Sequence, residues 1–131
     1  MANHPHTLLI VDDHDDIREG MAALLARDGH HAVPVRGGRE ALARLRDGLR
    51  PCVIVLDLAM PDMPGYVFRE AQRADPELAS IPVIVVSAGD RASEATARAL
   101  GIECYLRKPI DLDAFRRAVE EQCDAGRRAG S

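Results

Sequence analysis

The chain has no tryptophan and only two phenylalanines and two tyrosines among its 131 residues, so any aromatic at a functional position stands out. No apolar run approaches the roughly 18 residues that would mark a membrane helix. Residues 1–6, Met-Ala-Asn-His-Pro-His, lack the charged and apolar regions of a signal peptide, and a cytoplasmic location is expected. Lysine and arginine, 17 in all against 21 acidic residues, form no cluster, and the net charge is −4. A nucleic-acid-binding role is therefore not expected. There is no internal repeat, low-complexity segment or linker. The three cysteines, Cys52, Cys104 and Cys123, have no metal-ligand spacing. Cys52 and Cys104 fall in apolar, strand-like segments and read as buried, reduced thiols acting as small hydrophobes, with a redox role as the alternative.

What is present is 47% hydrophobic sequence, enough for a folded core in a chain of one domain's length. Short β-branched runs recur at Thr7–Val11, His31–Val35, Cys52–Leu56, Ile81–Val86 and Ile102–Leu106. The third and fourth are continuously apolar, as central parallel strands covered on both faces are. His31–Val35 is weaker and suits an edge. Helical stretches lie between the runs. Ile17, Met21, Leu24 and Leu25 form one apolar stripe, Leu112, Phe115, Ala118, Val119 and Cys123 another, and Ala92, Ala95, Ala99 and Leu100 a narrower face. Gly29, Gly48 and Gly101 each follow a helical stretch, where a left-handed cap is wanted. Asp16 and Glu19 resemble a capping box, and Asp111 is placed to cap the last helix. Residues 126–131 are expected to fray. Strand and helix alternating five times predicts an α/β sandwich with right-handed crossovers and leaves no residues for a second domain.

Ligands of open α/β sheets bind beyond the carboxyl ends of the strands. Asp12 and Asp13 follow the first run, Asp57 the third, Ser87 the fourth, and Lys108 and Pro109 the fifth. The second run is followed only by Arg36 and glycines, as expected of a strand off the site. Three carboxylates at neighbouring strand ends repel unless a cation neutralises them. Hard oxygen ligands in an incomplete, solvent-open shell suit Mg²⁺. Asp57 is the candidate nucleophile, since an aspartate can attack a phosphoryl group and form an acyl phosphate. Lys108 would supply a mobile point charge to a phosphoryl oxygen, and Ser87 a hydroxyl hydrogen bond to another. His14 reads as a solvated residue at the start of the first helix. His4, His6, His30 and His31 read as surface residues, none with a partner at ligand spacing.

These residues resemble the receiver-domain family of two-component response regulators over about Thr7 to Cys123. Four motifs carry the resemblance: Asp12-Asp13 in Ile-Val-Asp-Asp, the acceptor segment Val55–Gly65 (Val-Leu-Asp-Leu-Ala-Met-Pro-Asp-Met-Pro-Gly), Ser87 in Val-Ser-Ala, and Lys108-Pro109. Each alone is weak; all four in order are specific. The resemblance implies a flavodoxin-like three-layer sandwich with a five-stranded parallel sheet in order 2-1-3-4-5 and five helices. It implies one receiver domain over residues 1–131 with no output domain. It implies Mg²⁺ held by Asp13, Asp57 and the backbone carbonyl of Ala59, with Asp12 acting largely through water, and a cis peptide before Pro109. It implies a phosphoryl group delivered to Asp57 from a phosphohistidine on a histidine kinase or histidine phosphotransfer protein. Tyr105 takes the place of the family's switch aromatic, coupled to Ser87, in a two-state element biased by a local charge change. Output would pass to a protein partner, with only self-phosphorylation and slow self-dephosphorylation as chemistry and a monomer or weak dimer as the expected state.

Two positions depart from the pattern. Ala59 and Gly89 are both bare where relatives often carry a polar side chain, so self-dephosphorylation is expected to proceed without side-chain assistance there. Three other readings compete. A haloacid-dehalogenase-type phosphohydrolase would need a second Asp where Ala59 stands. A pseudo-receiver that does not use phosphate would usually lack part of the acid set. A nucleotide-binding module would need a Gly-x-Gly-x-x-Gly after the first strand, where Asp12-Asp13 would repel a pyrophosphate.

Overall fold

The computed structural model describes residues 6–88, 91–102 and 104–130, with backbone alone at 91–93 and 125–130. Five strands each lead into a helix: β1 Thr7–Val11, α1 Asp15–Arg27, β2 His31–Val35, α2 Gly38–Arg46, β3 Val53–Asp57, α3 Gly65–Ala74, β4 Val83–Ser87, α4 Arg91–Ala99, β5 Cys104–Arg107 and α5 Leu112–Gly130. All pairings are parallel, and the order is β2-β1-β3-β4-β5, as the resemblance implied. This is the flavodoxin-like α/β sandwich.

The sequence dictates the layering. Along a strand, alternate side chains face opposite sides of the sheet. Leu9, Val11, Ile54, Leu56, Val83 and Val85 point to one face, where α2, α3 and α4 add Leu42, Leu45, Phe68 and Ala97. Leu8, Ile10, Val53, Val55, Ile84 and Val86 point to the other, covered by Met21 and Leu25 of α1 and by Phe115, Val119 and Cys123 of α5. The five residues of β3 and of β4 are buried throughout, which explains their unbroken apolar runs. Every strand ends at the same rim of the sheet, and that rim carries the chemistry-bearing residues.

Several boundaries and faces differ from the sequence reading. β3 starts at Val53 and takes in Asp57, and β4 starts at Val83 because Pro82 has no N–H to donate to the ladder. The capping box at Asp16 and Glu19 does not form. The N-cap is His14, with no side-chain cap bond, and Arg18 draws the first-turn carboxylate of Asp15 to itself instead. Asp111 does cap α5, accepting from the N–H groups of Asp113 and Ala114 at 2.9 and 3.2 Å. Among the described side chains of α4 the buried one is Ala97, while Ala95 and Ala99 are exposed; that of Ala92 lies outside the described residues. The sheet-facing side runs through Ala97 and Leu100, which the uniform alanines concealed. Leu112 is exposed. α5 continues through Gly130 because the alanines and arginines around Gly126 are strong helix formers, against about 1 kcal/mol for one interior glycine. Gly29, Gly48 and Gly101 have φ of 87, 108 and 73°, the left-handed caps expected after α1, α2 and α4.

Three further residues depart from expectation. Cys52 and Cys104 are half-buried, and Cys123 alone of the three is fully enclosed. His6 is buried, not superficial, stacking on His30 with ring centroids 5.3 Å apart. Gln72, on α3, has no exposure and spends its amide on the α3–β4 connection: Nε2 donates to the carbonyls of Leu78 and Ile81 at 2.9 Å each, and Oε1 accepts from Arg69 at 2.8 Å.

Candidate functional site

The site forms at the carboxyl rim where β1, β3, β4 and β5 end side by side. Asp57 is the last residue of β3 and pairs in register with Val86 of β4. Asp12 follows β1 directly, and its N–H donates to the Val35 carbonyl at 3.2 Å, extending the β1–β2 ladder by one bond. Lys108 follows β5, and its N–H donates to the Ser87 carbonyl at 2.8 Å, extending the β4–β5 ladder likewise. The peptide joining Lys108 to Pro109 is cis. Sheet hydrogen bonding therefore fixes the backbone of each of these residues.

The side chains converge. One ligand atom from each of Asp12, Asp13, His14 and Asp57 lies within 4.8 Å of the others. Asp12 and Asp57 are buried, and Asp13 is part-exposed toward solvent. Asp12 Oδ1 accepts from the His14 N–H at 2.8 Å, and His14 Nδ1 lies 3.1 Å from the same oxygen. Asp57 Oδ1 accepts from the Ala59 N–H at 3.0 Å, which orients the carboxylate and leaves Oδ2 facing the pocket. Lys108 Nζ stands 3.1 Å from Asp12 Oδ2 and 3.3 Å from Asp57 Oδ2. Burial pushes the Asp57 carboxyl above its ordinary range and the Asp12 charge pushes the same way, against the Ala59 N–H and the Lys108 ammonium.

The charge balance decides what the pocket can hold. Two like unit charges about 4 Å apart repel by about 4 kcal/mol at an effective dielectric near 20. One lysine cannot offset three carboxylates at this range. Asp12 Oδ2 and Asp13 Oδ1 are also buried and accept no hydrogen bond among the described residues. The ammonium contact with Asp12 is one of charge, without hydrogen-bond alignment. Two unfilled oxygen acceptors and a residual charge near −2 fit a hard divalent cation such as Mg²⁺.

Around this pocket, Ser87 closes β4 and is buried, and Ala59 is exposed beside Asp57. Tyr105 of β5 is half-buried against the α4 side of the core, and its hydroxyl is shielded and unpartnered among the described residues. It lines a cleft of about 780 Å³ with Glu94, Arg98, Ile102 and Arg107. Gly89 lies outside the described residues.

Three participants were missed in the sequence. His14 reaches the acid pair as well as solvent. Arg18 is buried, and its guanidinium donates to the Asp12 carbonyl at 3.0 Å, bracing the loop that carries the acid pair. Asp62 accepts from the N–H groups of Gly38 and Arg39 at 3.2 and 2.9 Å, so the β3–α3 loop caps α2. That explains the glycines after β2: a Cβ on Gly37 would sit 2.5 Å from the Asp62 carboxylate, and one on Gly38 2.5 Å from Met63. The Asp15-x-x-Arg18 spacing was a visible signal for one of the three. The other contacts join residues far apart in the chain or depend on how the chain turns after β1.

Residues 8–120 match the family model described as response regulator receiver domain. Response regulator RR06 of Streptococcus pneumoniae is 36% identical over 107 residues, covering 80% of this chain and 47% of its own length. The polar-differentiation response regulator DivK of Brucella anthropi is 32% identical over 112 residues, covering 85% of this chain and 90% of its own. The chain thus spans about half of the former and most of the latter. A putative response regulator from Chloroflexus aurantiacus superimposes with a TM-score of 0.86 at 29% identity, covering 92% of this chain and 99% of that one. The chain belongs to the family of response-regulator receiver domains, the phosphorylation-dependent switches of two-component signalling.

Proposed function

We propose that Asp57 is the phosphoacceptor and that its donor is a phosphohistidine on a histidine kinase or histidine phosphotransfer protein. The observation that carries this reading is the convergence of Asp12, Asp13 and Asp57 with Lys108 at one rim, with two carboxylate oxygens that accept no hydrogen bond among the described residues. Asp57 Oδ2, left clear by the Ala59 N–H on Oδ1, forms the new P–O bond as the donor's P–N bond breaks, and the imidazole, already protonated by solvent on its other nitrogen, departs neutral. Lys108 shifts its ammonium from the two carboxylates to a phosphoryl oxygen, and the Ser87 hydroxyl donates to another. Asp13, Asp57 and the Ala59 carbonyl would hold Mg²⁺, with Asp12 acting through water; when bound it supplies the charge neutralisation that lets two anions meet. Ser87 then couples the phosphoryl group to Tyr105, whose unpartnered hydroxyl gives it a reason to move. The population shifts only by the differential affinity of the two states for that group.

The donor docks on a cleft of about 440 Å³ between α1 and the loop after Lys108, lined by Ile17, Met21, Leu24, Pro109, Ile110 and Leu112. The exposure of Leu112 supports this placement. The chain acts as a single receiver unit in the cytoplasm and signals through a protein partner; no helix among the described residues is long and apolar enough to cross a membrane. Ala59 cannot transfer a proton, which disfavours the phosphohydrolase reading. The complete acid set disfavours a pseudo-receiver. Phosphotransfer profiling against candidate histidine kinases tests the proposal. Label is expected on the wild type and not on Asp57→Ala, and equal labelling of both would move the acceptor elsewhere.

A further inference from the structure

A second convergence of metal-ligating atoms lies at the opposite rim of the sheet. His6 immediately precedes β1, Cys52 immediately precedes β3, and Cys123 stands on α5. The Cys52 N–H donates to the Thr7 carbonyl at 2.8 Å, which sets the start of β3 beside the start of β1. One ligand atom from each of the three side chains lies within 4.8 Å of the other two, and His6 Nδ1 is 3.3 Å from Cys52 Sγ. His6 and Cys123 are buried, while Cys52 keeps partial access to solvent. His30 braces His6: the backbone N–H of His6 donates to His30 Nδ1 at 3.3 Å, and the two rings stack, which orients the imidazole.

We propose that His6, Cys52 and Cys123 form a binding site for a thiophilic divalent cation of the Zn²⁺ class, separate from the hard-oxygen pocket at Asp57. Two thiolates and one imidazole are a donor set that favours zinc over magnesium. Zn–S and Zn–N bonds of about 2.3 and 2.0 Å place tetrahedral ligands roughly 3.5 Å apart, so the 3.3 Å His6–Cys52 separation is already of coordinating size. Two thiolates neutralise the cation, which removes the charge penalty of a largely buried site. The fourth position is left to water on the Cys52 side, through which the ion would enter. Binding releases the two thiol protons to solvent and changes no oxidation state. The bound ion would tie the starts of β1 and β3, already joined by the Cys52–Thr7 hydrogen bond, to α5.

The test uses the full chain, reduced with a phosphine, stripped of metal and kept in excess Mg²⁺ so that the acid pocket is occupied. Titration with Co²⁺ should give thiolate-to-cobalt charge-transfer absorption and tetrahedral visible bands that saturate at one equivalent and are abolished by Zn²⁺. Cys52→Ser should halve the charge-transfer intensity. His6→Gln should weaken binding roughly tenfold or more. Cys104→Ser and Asp57→Asn should change neither. Zn²⁺ should also raise the melting temperature of the wild type in Mg²⁺ buffer, a readout that needs no variant. Absence of the thiolate band, a band undiminished in Cys52→Ser, or one lost in Cys104→Ser would overturn the assignment. So would failure of Zn²⁺ to raise the wild-type melting temperature.

Discussion

Replacing Gln72 by methionine keeps the length of the side chain and removes its hydrogen bonds. In the native chain the amide donates to the carbonyls of Leu78 and Ile81 in an enclosed space and accepts from the half-buried Arg69. Methionine can make none of these bonds. The Leu78 carbonyl still accepts from the Ile81 N–H at 3.1 Å, but the Ile81 carbonyl loses its Gln72 donor in surroundings water does not reach. A buried acceptor left unpaired costs about 1–3 kcal/mol, and the second bond lost at Leu78 about 1 kcal/mol more. The better burial of a thioether offsets a fraction, and the net expectation is a loss of about 2 kcal/mol. At this chain length about 4 °C accompanies each kcal/mol, so the melting temperature should fall by roughly 8 °C. Urea unfolding should show the loss in its midpoint with an unchanged slope, because the same surface is exposed. Mg²⁺ affinity of the folded variant should be unaltered, since Gln72 anchors the start of β4 and the site lies at its end. A loss below about 1 kcal/mol would refute the claim that this amide is what holds the α3–β4 connection.

Gly65 packs against the segment just after Asp57, where a Cβ would lie 2.6 Å from Leu58 Cδ2 and 3.1 Å from Leu58 Cα. Gly65→Ala should therefore cost about 1–3 kcal/mol in urea unfolding and slow phosphorylation of Asp57 by a small phosphodonor. Asp57→Asn should raise the melting temperature of the metal-free protein. Burial holds the Asp57 carboxyl above its unfolded range, so the native state prefers the protonated form and the ionised group destabilises it at neutral pH. Asp28 has the opposite sign: its hydrogen bonds to Arg116 lower its carboxyl, so its contribution is present above the unfolded carboxylate range and is lost as pH falls through the folded value. Asp28→Asn should flatten the acid limb of a melting-temperature profile. Excess Mg²⁺ at a hundred times its dissociation constant should stabilise the wild type by about 2.7 kcal/mol, and Asp13→Asn should remove most of that gain.

The sheet was legible because its signal is local. The unbroken runs at Val53–Leu56 and Val83–Val86 are short, β-branched and set between helical stretches, which marks them as strands covered on both faces, and the residue after each run marks the rim. Asp12, Asp13, Asp57 and Lys108 were legible as a group for the same reason: parallel topology carries strand ends to one side, and strand ends can be read in one dimension. What stayed hidden depends on contacts across the chain. Nothing near Gln72 in sequence says that its amide meets two loop carbonyls, and 46 residues separate His6 from the sulfur it faces. The histidines read as superficial because histidine usually is, and only the start of β3 beside β1 encloses one of them. The buried face of α4 was misread because alanine marks a helix without marking its sides.

Intact-mass analysis and peptide mapping after incubation with a small phosphoramidate tests the central claim most directly. The account predicts one phosphoryl adduct, located on Asp57, formed only with Mg²⁺ present and absent from Asp57→Asn. An adduct on another residue, or one that forms equally well in the presence of a chelator, would contradict it.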